Sequence, residues 1–62
     1  MTLKEIRLDK NLTMKQAGQL VGISESMYSL IESGKRKPSV RTAKRIGKQF
    51  KINWIDFFKD VS

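Results

Sequence analysis

Helix-start signals recur so often along this chain that no single element can be long. Thr2-Leu3-Lys4-Glu5 has the form of a capping box, in which a hydroxyl and a carboxylate satisfy free backbone amides reciprocally. Thr13-Met14-Lys15-Gln16 repeats the pattern. Ser24 and Ser39 can each cap a further helix, and Ile23 is placed to staple onto Tyr28. Asn53 followed by Asp56 resembles one more box, with Ile52 stapled onto Phe57. Between the starts lie Asn11, Gly22 and Gly34, residues that accept the left-handed conformation ending a helix. The spacing predicts helices over 2–10, 13–21, 24–33, 39–50 and 53–60. No strand pattern competes, since the β-branched residues are scattered and no Asn-Gly or Asp-Gly pair occurs. The expected fold class is all-α, a compact five-helix bundle formed by residues 1–62 as a single domain.

Composition narrows the chemistry. Among 62 residues there is no Cys and no His. Disulfides, zinc fingers, thiol nucleophiles and the usual neutral-pH acid–base group are therefore excluded. A domain this small buries only about 60% of its unfolded surface, so a deep catalytic cleft would compete with the core. The carboxylates Glu5, Asp9, Glu25, Glu32, Asp56 and Asp60 form no metal-spaced cluster, and no phosphate-binding glycine loop is present. The chain reads as a non-enzyme with no metal, cofactor or small-molecule ligand. Apolar runs never exceed two residues, as in Leu20-Val21, and the N-terminus lacks a signal-peptide core. A soluble cytoplasmic protein without a membrane partner is expected.

The net charge is +7, and it is local. Residues 1–34 are neutral overall, whereas residues 35–51 contain Lys35, Arg36, Lys37, Arg41, Lys44, Arg45, Lys48 and Lys51 and no acid. Five of these fall in one sector of the fourth helix, from about 20° to 140° when Val40 is set at zero. They flank an apolar stripe of Val40, Ala43, Ile46, Gly47 and Phe50. Other core candidates are Leu3, Ile6, Leu12, Ala17, Val21, Ile23, Tyr28, Ile31, Ile52, Trp54, Phe57 and Phe58. A concentrated basic band points to a polyanionic partner, nucleic acid before an anionic membrane. No exposed aromatics alternate with the basic residues as single-strand stacking requires, which disfavours RNA.

The second and third helices are joined only by Val21-Gly22-Ile23-Ser24. A turn that short, pivoting on glycine, makes two helices cross steeply, which is helix-turn-helix geometry over residues 13–33. Gly18 keeps the crossing close, and Ala17, Val21, Tyr28 and Ile31 lie where the helices face one another. A generic αα-hairpin reproduces part of this signal. With Tyr28 and Ile31 inward, the outward sector of the third helix holds Glu25, Ser26, Ser29, Leu30 and Ser33. Serine hydroxyls donate and accept, a carboxylate can accept from a cytosine amino group, and leucine can pack on a thymine methyl. The start of the second helix, near Thr13 and Lys15, offers free amides and a positive dipole end to a phosphate.

From Leu3 to Phe58 the chain resembles the Cro/phage-repressor-like helix-turn-helix domains, also called the xenobiotic-response-element family. The resemblance rests on Leu12-Thr13, Gly22-Ile23-Ser24 and the run Ile31-Glu32-Ser33-Gly34-Lys35-Arg36-Lys37-Pro38-Ser39, with Ile52 to Phe58 similar to the family's last helix. It implies double-stranded DNA as partner, the third helix in the major groove, and a two-fold dimer. Base contacts are implied chiefly at Glu25, Ser26 and Leu30, and backbone contacts at Ser24, Lys35, Arg36, Lys37 and Arg41. It also implies an ion pair between Arg7 and Glu32. Five phosphate contacts would give log K against log salt a slope of about −4. The chain departs from the pattern at Met14, where the family has Gln, and in having no Lys or Arg between residues 16 and 34.

The expected function is a sequence-specific transcriptional regulator, a small repressor of phage or mobile-element type. A globule this size has a radius of gyration of about 11 Å and cannot span half-sites about 34 Å apart. A homodimer on an inverted repeat is expected, with Ile55 and Val61 as candidate dimer contacts. Fraying of the C-terminus is the other reading of Val61. The acidic, Ser-rich third helix and Met14 also fit an antirepressor- or antitoxin-like module that binds another regulator.

Overall fold

The computed structural model describes residues 2–58. Four α-helices follow in order: α1 (Leu3–Asp9), α2 (Met14–Val21), α3 (Glu25–Glu32) and α4 (Val40–Phe50). Local chemistry sets their starts. Thr2 and Glu5 close a capping box at α1, and Thr13 and Gln16 close another at α2. The Ser24 and Ser39 side chains accept from the amides of Met27 and Thr42 at the starts of α3 and α4. Asn11, Gly22 and Gly34 all have positive φ, as expected of the stops.

A fifth α-helix was expected over 53–60, and this is corrected. Residues Trp54–Phe58 form a 3-10 segment instead, while residues 59–62, including Val61, lie outside the described residues. The segment is held against the end of α4 and by hydrogen bonds within itself. Ile52 donates its amide to the Gly47 carbonyl (3.1 Å), and an ideal Cβ on Gly47 would lie 2.9 Å from the Ile52 oxygen and 3.1 Å from Trp54 Cβ. The chain is thus pulled tightly onto α4. The Asn53 side chain accepts from Ile55, two residues on (3.2 Å), and the Asp56 amide closes an i to i+3 ring on the Asn53 carbonyl (3.1 Å).

The core lies where α2, α3 and α4 meet. Ala17, Val21, Tyr28, Ile31, Ile46 and Phe50 form one buried cluster, with Leu3, Ile6, Leu12, Ile23, Ile52 and Phe57 partly buried against it. Val40, expected on the buried stripe, is 51% exposed. It is the first residue of α4 and projects past the end of the core, so the buried stripe begins at Ala43. Trp54 and Phe58 meet edge to face at the rim, with centroids 6.2 Å apart. Among the described residues no helix is long and apolar enough to cross a membrane, and no cluster of His, Cys, Asp or Glu could hold a metal ion.

Lys51 caps α4 in the left-handed conformation, at φ 56°. A side chain at such a position costs about 1–2 kcal/mol, partly offset in glycine by its greater unfolded-chain entropy. Lys51→Gly is therefore expected to raise the melting temperature by a few degrees, read from a thermal denaturation curve.

Candidate nucleic-acid interface

The interface rests on the crossing of α2 and α3. Gly22 turns the chain at φ 76°, and the Ile23 amide donates to the Gly18 carbonyl (2.9 Å). An ideal Cβ on Gly18 would come 2.9 Å from the Ile23 oxygen and 3.2 Å from that of Ser24. Backbone therefore packs on backbone, and only a glycine allows this separation.

A buried ion pair fixes the other end of α3. Arg7 donates from Nε to Glu32 Oε2 (2.8 Å), from Nη2 to Oε1 (3.0 Å), and from Nη1 to the Leu12 carbonyl (2.8 Å). The two side chains are 8% and 4% exposed. Burial works against the charged form of Glu32. The hydrogen bonds from Arg7 and the positive charges of Arg7 and Lys4 outweigh this and hold the carboxyl below the usual carboxylate range. Hydrogen bonding to Glu32 in turn raises the Arg7 pKa further. The Tyr28 hydroxyl is buried beside the pair and, among the described residues, meets no hydrogen-bond partner. Burial pushes its pKa up.

With Tyr28, Ile31 and Glu32 turned inward, α3 leaves its opposite face open. Glu25, Ser26 and Ser33 are exposed, Ser29 is half-buried, and Leu30 is 37% exposed. Among the described residues, the side chains of Glu25, Ser26 and Ser29 form no hydrogen bond within the protein. Ser33 differs, because it caps the helix and its hydroxyl donates to the Leu30 carbonyl (3.1 Å). That same carbonyl accepts from the amides of Lys35 (3.0 Å) and Arg36 (3.2 Å). The basic loop is therefore tied to the C-terminal end of α3, where positive charge also meets the negative end of the helix dipole. Lys35, Arg36, Lys37 and Arg41 are all exposed.

Four details were not read from the sequence. At the start of α2 the capping box already uses the amides of Thr13 and Gln16, which leaves those of Met14 and Lys15. The basic band on α4 is not uniform. Lys44 lies over the Trp54 ring, 5.3 Å from its centroid, and Arg45 Nη1 would sit 2.7 Å from a Cβ on Gly22. Both residues are exposed, but their charged ends lie against Trp54 and Gly22 rather than standing clear of the surface. Met14 joins Glu25, Ser26, Ser29 and Leu30 around one open concavity of about 580 Å³. A second concavity, of about 220 Å³, shares Met14 and Ser29 and extends to Lys4 of α1.

A family profile described as Helix-turn-helix matches residues 3–57, a span that includes α1 to α4 and the crossing just described. The chain belongs to the helix-turn-helix family. This accords with the resemblance to the Cro/phage-repressor-like domains. Among curated relatives, the helix-turn-helix chain is similar to the uncharacterized HTH-type transcriptional regulator YqaF of Bacillus subtilis (strain 168). Identity is 41% over 59 residues, covering 95% of this chain and 78% of YqaF. It is also 31% identical over 58 residues to the HTH-type transcriptional regulator PuuR of Escherichia coli (strain K12), and the same figures hold for PuuR of Shigella flexneri. That match covers 94% of this helix-turn-helix chain but only 31% of PuuR. No solved structure matches significantly.

Proposed function

We propose that the chain is a sequence-specific, double-stranded DNA-binding transcriptional regulator that binds an inverted repeat as a homodimer. The observation that carries this reading is the open face of α3 beside the exposed cations Lys35, Arg36, Lys37 and Arg41. In the major groove Glu25, Ser26, Ser29 and Leu30 read base edges, with Ser33 at the end of the row. Lys15, the loop cations and Arg41 hold phosphates, joined by the Thr13 and Ser24 ends of α2 and α3. The relatives named as transcriptional regulators support the same role. Dimerisation is supported by size. The Cα radius of gyration is 10.6 Å and the longest extent 32 Å, so one copy occupies a single half-site. Ile55, 49% exposed, is the candidate contact within the described residues. A regulator of the small repressor type is the form we favour.

Selection from random duplex DNA, followed by titration of the winner at several salt concentrations, tests this. An enriched inverted repeat with a large specificity ratio is expected. Replacing Lys35, Arg36 and Lys37 together by Ala should weaken binding to all duplexes alike and reduce the salt slope by about 3. Ser26→Ala and Glu25→Ala should leave the slope alone and change the preferred bases. Salt-sensitive binding with no enriched site would leave only charge attraction. A protein partner, as an antirepressor- or antitoxin-like module would have, would then be sought by pull-down.

A further inference from the structure

The concavity on the outer face of α3 has a composition unusual for a surface that meets a polyanion. It is lined by two hydroxyls, one carboxylate and two apolar side chains, and by no cation. On a helical wheel starting from Glu25, Ser29, Ser33 and Ser26 fall at about 40°, 80° and 100°, with Leu30 at about 140°. Leu30 therefore closes the far edge of the serine row. Met14, at the first position of α2, closes the near edge, because it borders both this concavity and the one reaching Lys4 and Glu32. Met14 is half-buried and packed on the core, so its position is fixed from behind.

We propose that Met14 and Leu30 form an apolar bracket that recognises the 5-methyl groups of thymine on either side of the bases met by Ser26 and Ser29. This rests on the DNA-binding reading above and names the bases it selects. The chemistry follows from the major-groove edge of each base. Guanine presents two acceptors, and this face offers no Arg or Lys to donate to them. Thymine alone among the four bases presents a methyl group, and a thioether and a leucine are the groups here that gain by covering it. Serine adapts to donor or acceptor at the bases it meets, and the bracket adds a separate selection for thymine on either side of them. Neighbouring cations on the loop and α4 supply the attraction that brings the duplex to this cation-free part of the surface.

The test uses the duplex obtained by selection, with each thymine replaced singly by uracil, which removes the methyl and nothing else. Wild type is expected to bind about threefold to fivefold more weakly at two or more of those positions, the effect of one buried methyl. Met14→Gln and Leu30→Ser should each abolish the thymine-over-uracil preference at a different position and leave the salt slope unchanged. Lys15→Ala should do the reverse. Leu30→Ser alters a partly exposed residue, so it remains informative if Met14→Gln folds poorly by circular dichroism. An enriched site that tolerates uracil everywhere overturns the bracket but not the DNA-binding reading. So do variants that keep the wild-type preference. Failure to enrich any site overturns both.

Discussion

Arg7→Met is expected to remove about 3–5 kcal/mol of stability, because it leaves the Glu32 carboxylate buried without its partner. The side chain of Glu32 is 4% exposed, and both of its oxygens accept from Arg7. The same change releases the Leu12 carbonyl from Arg7 Nη1, so the α1–α2 connection loosens as well. Domains have roughly 0.05–0.15 kcal/mol of stability per residue, which for a chain this size is about 3–9 kcal/mol. The single variant should therefore be marginal or unfolded at 25 °C in a urea titration. Replacing both partners by apolar residues of similar volume should recover most of the loss, since the net contribution of a buried pair is small. A single variant as stable as the parent would mean that water reaches Glu32. Acidity gives a second reading. The Glu32 pKa is lower in the fold than in the unfolded chain, so its contribution is fully present above the unfolded value of about 4.3. It is lost as pH falls through the lower folded value, and the acid limb of a melting-temperature profile should flatten in Glu32→Gln.

Gly18→Val is expected to cost about 1–3 kcal/mol or more, and to impair DNA binding beyond the loss of stability. The first added carbon alone comes 2.9 Å from the Ile23 oxygen, and the neighbours it meets are backbone atoms that cannot rotate aside. The α2–α3 crossing must widen, which moves Ser26 and Ser29 relative to the start of α2. Urea denaturation gives the first quantity. Affinity for the selected duplex, corrected for the folded fraction, gives the second. Unchanged affinity per folded molecule would show that this crossing does not set the spacing of the contacts.

The four helices were legible because their boundaries are decided by neighbours in the chain. A threonine and a glutamate three residues later close their box with no tertiary partner, and the Gly22 turn needs only its own φ. The ion pair of Arg7 and Glu32 was implied by resemblance, and its geometry required the structure. Position in space decided what was missed. The 3-10 segment follows a close approach of Gly47 to Ile52 and Trp54, which the capping signals at Asn53 and Asp56 do not announce. Val40 fits the apolar period of α4 yet lies beyond the core it should join. A helical wheel places Lys44 and Arg45 with the other cations, and only the packing brings their charged ends against Trp54 and Gly22. Met14 stood out only as a departure from a pattern. That it borders the same concavity as Leu30 depends on how α2 crosses α3.

The side chains of Glu25, Ser26 and Ser29 share a helix with Tyr28 and Ile31 yet make no hydrogen bond within the described protein. Surface substitutions of that kind usually shift stability by less than about 0.5 kcal/mol. The row can therefore be rewritten residue by residue while Gly18, Arg7 and Glu32 hold the helix in place. Inheritance can act on the two separately: descendants of this chain could exchange one operator for another without passing through an unfolded ancestor.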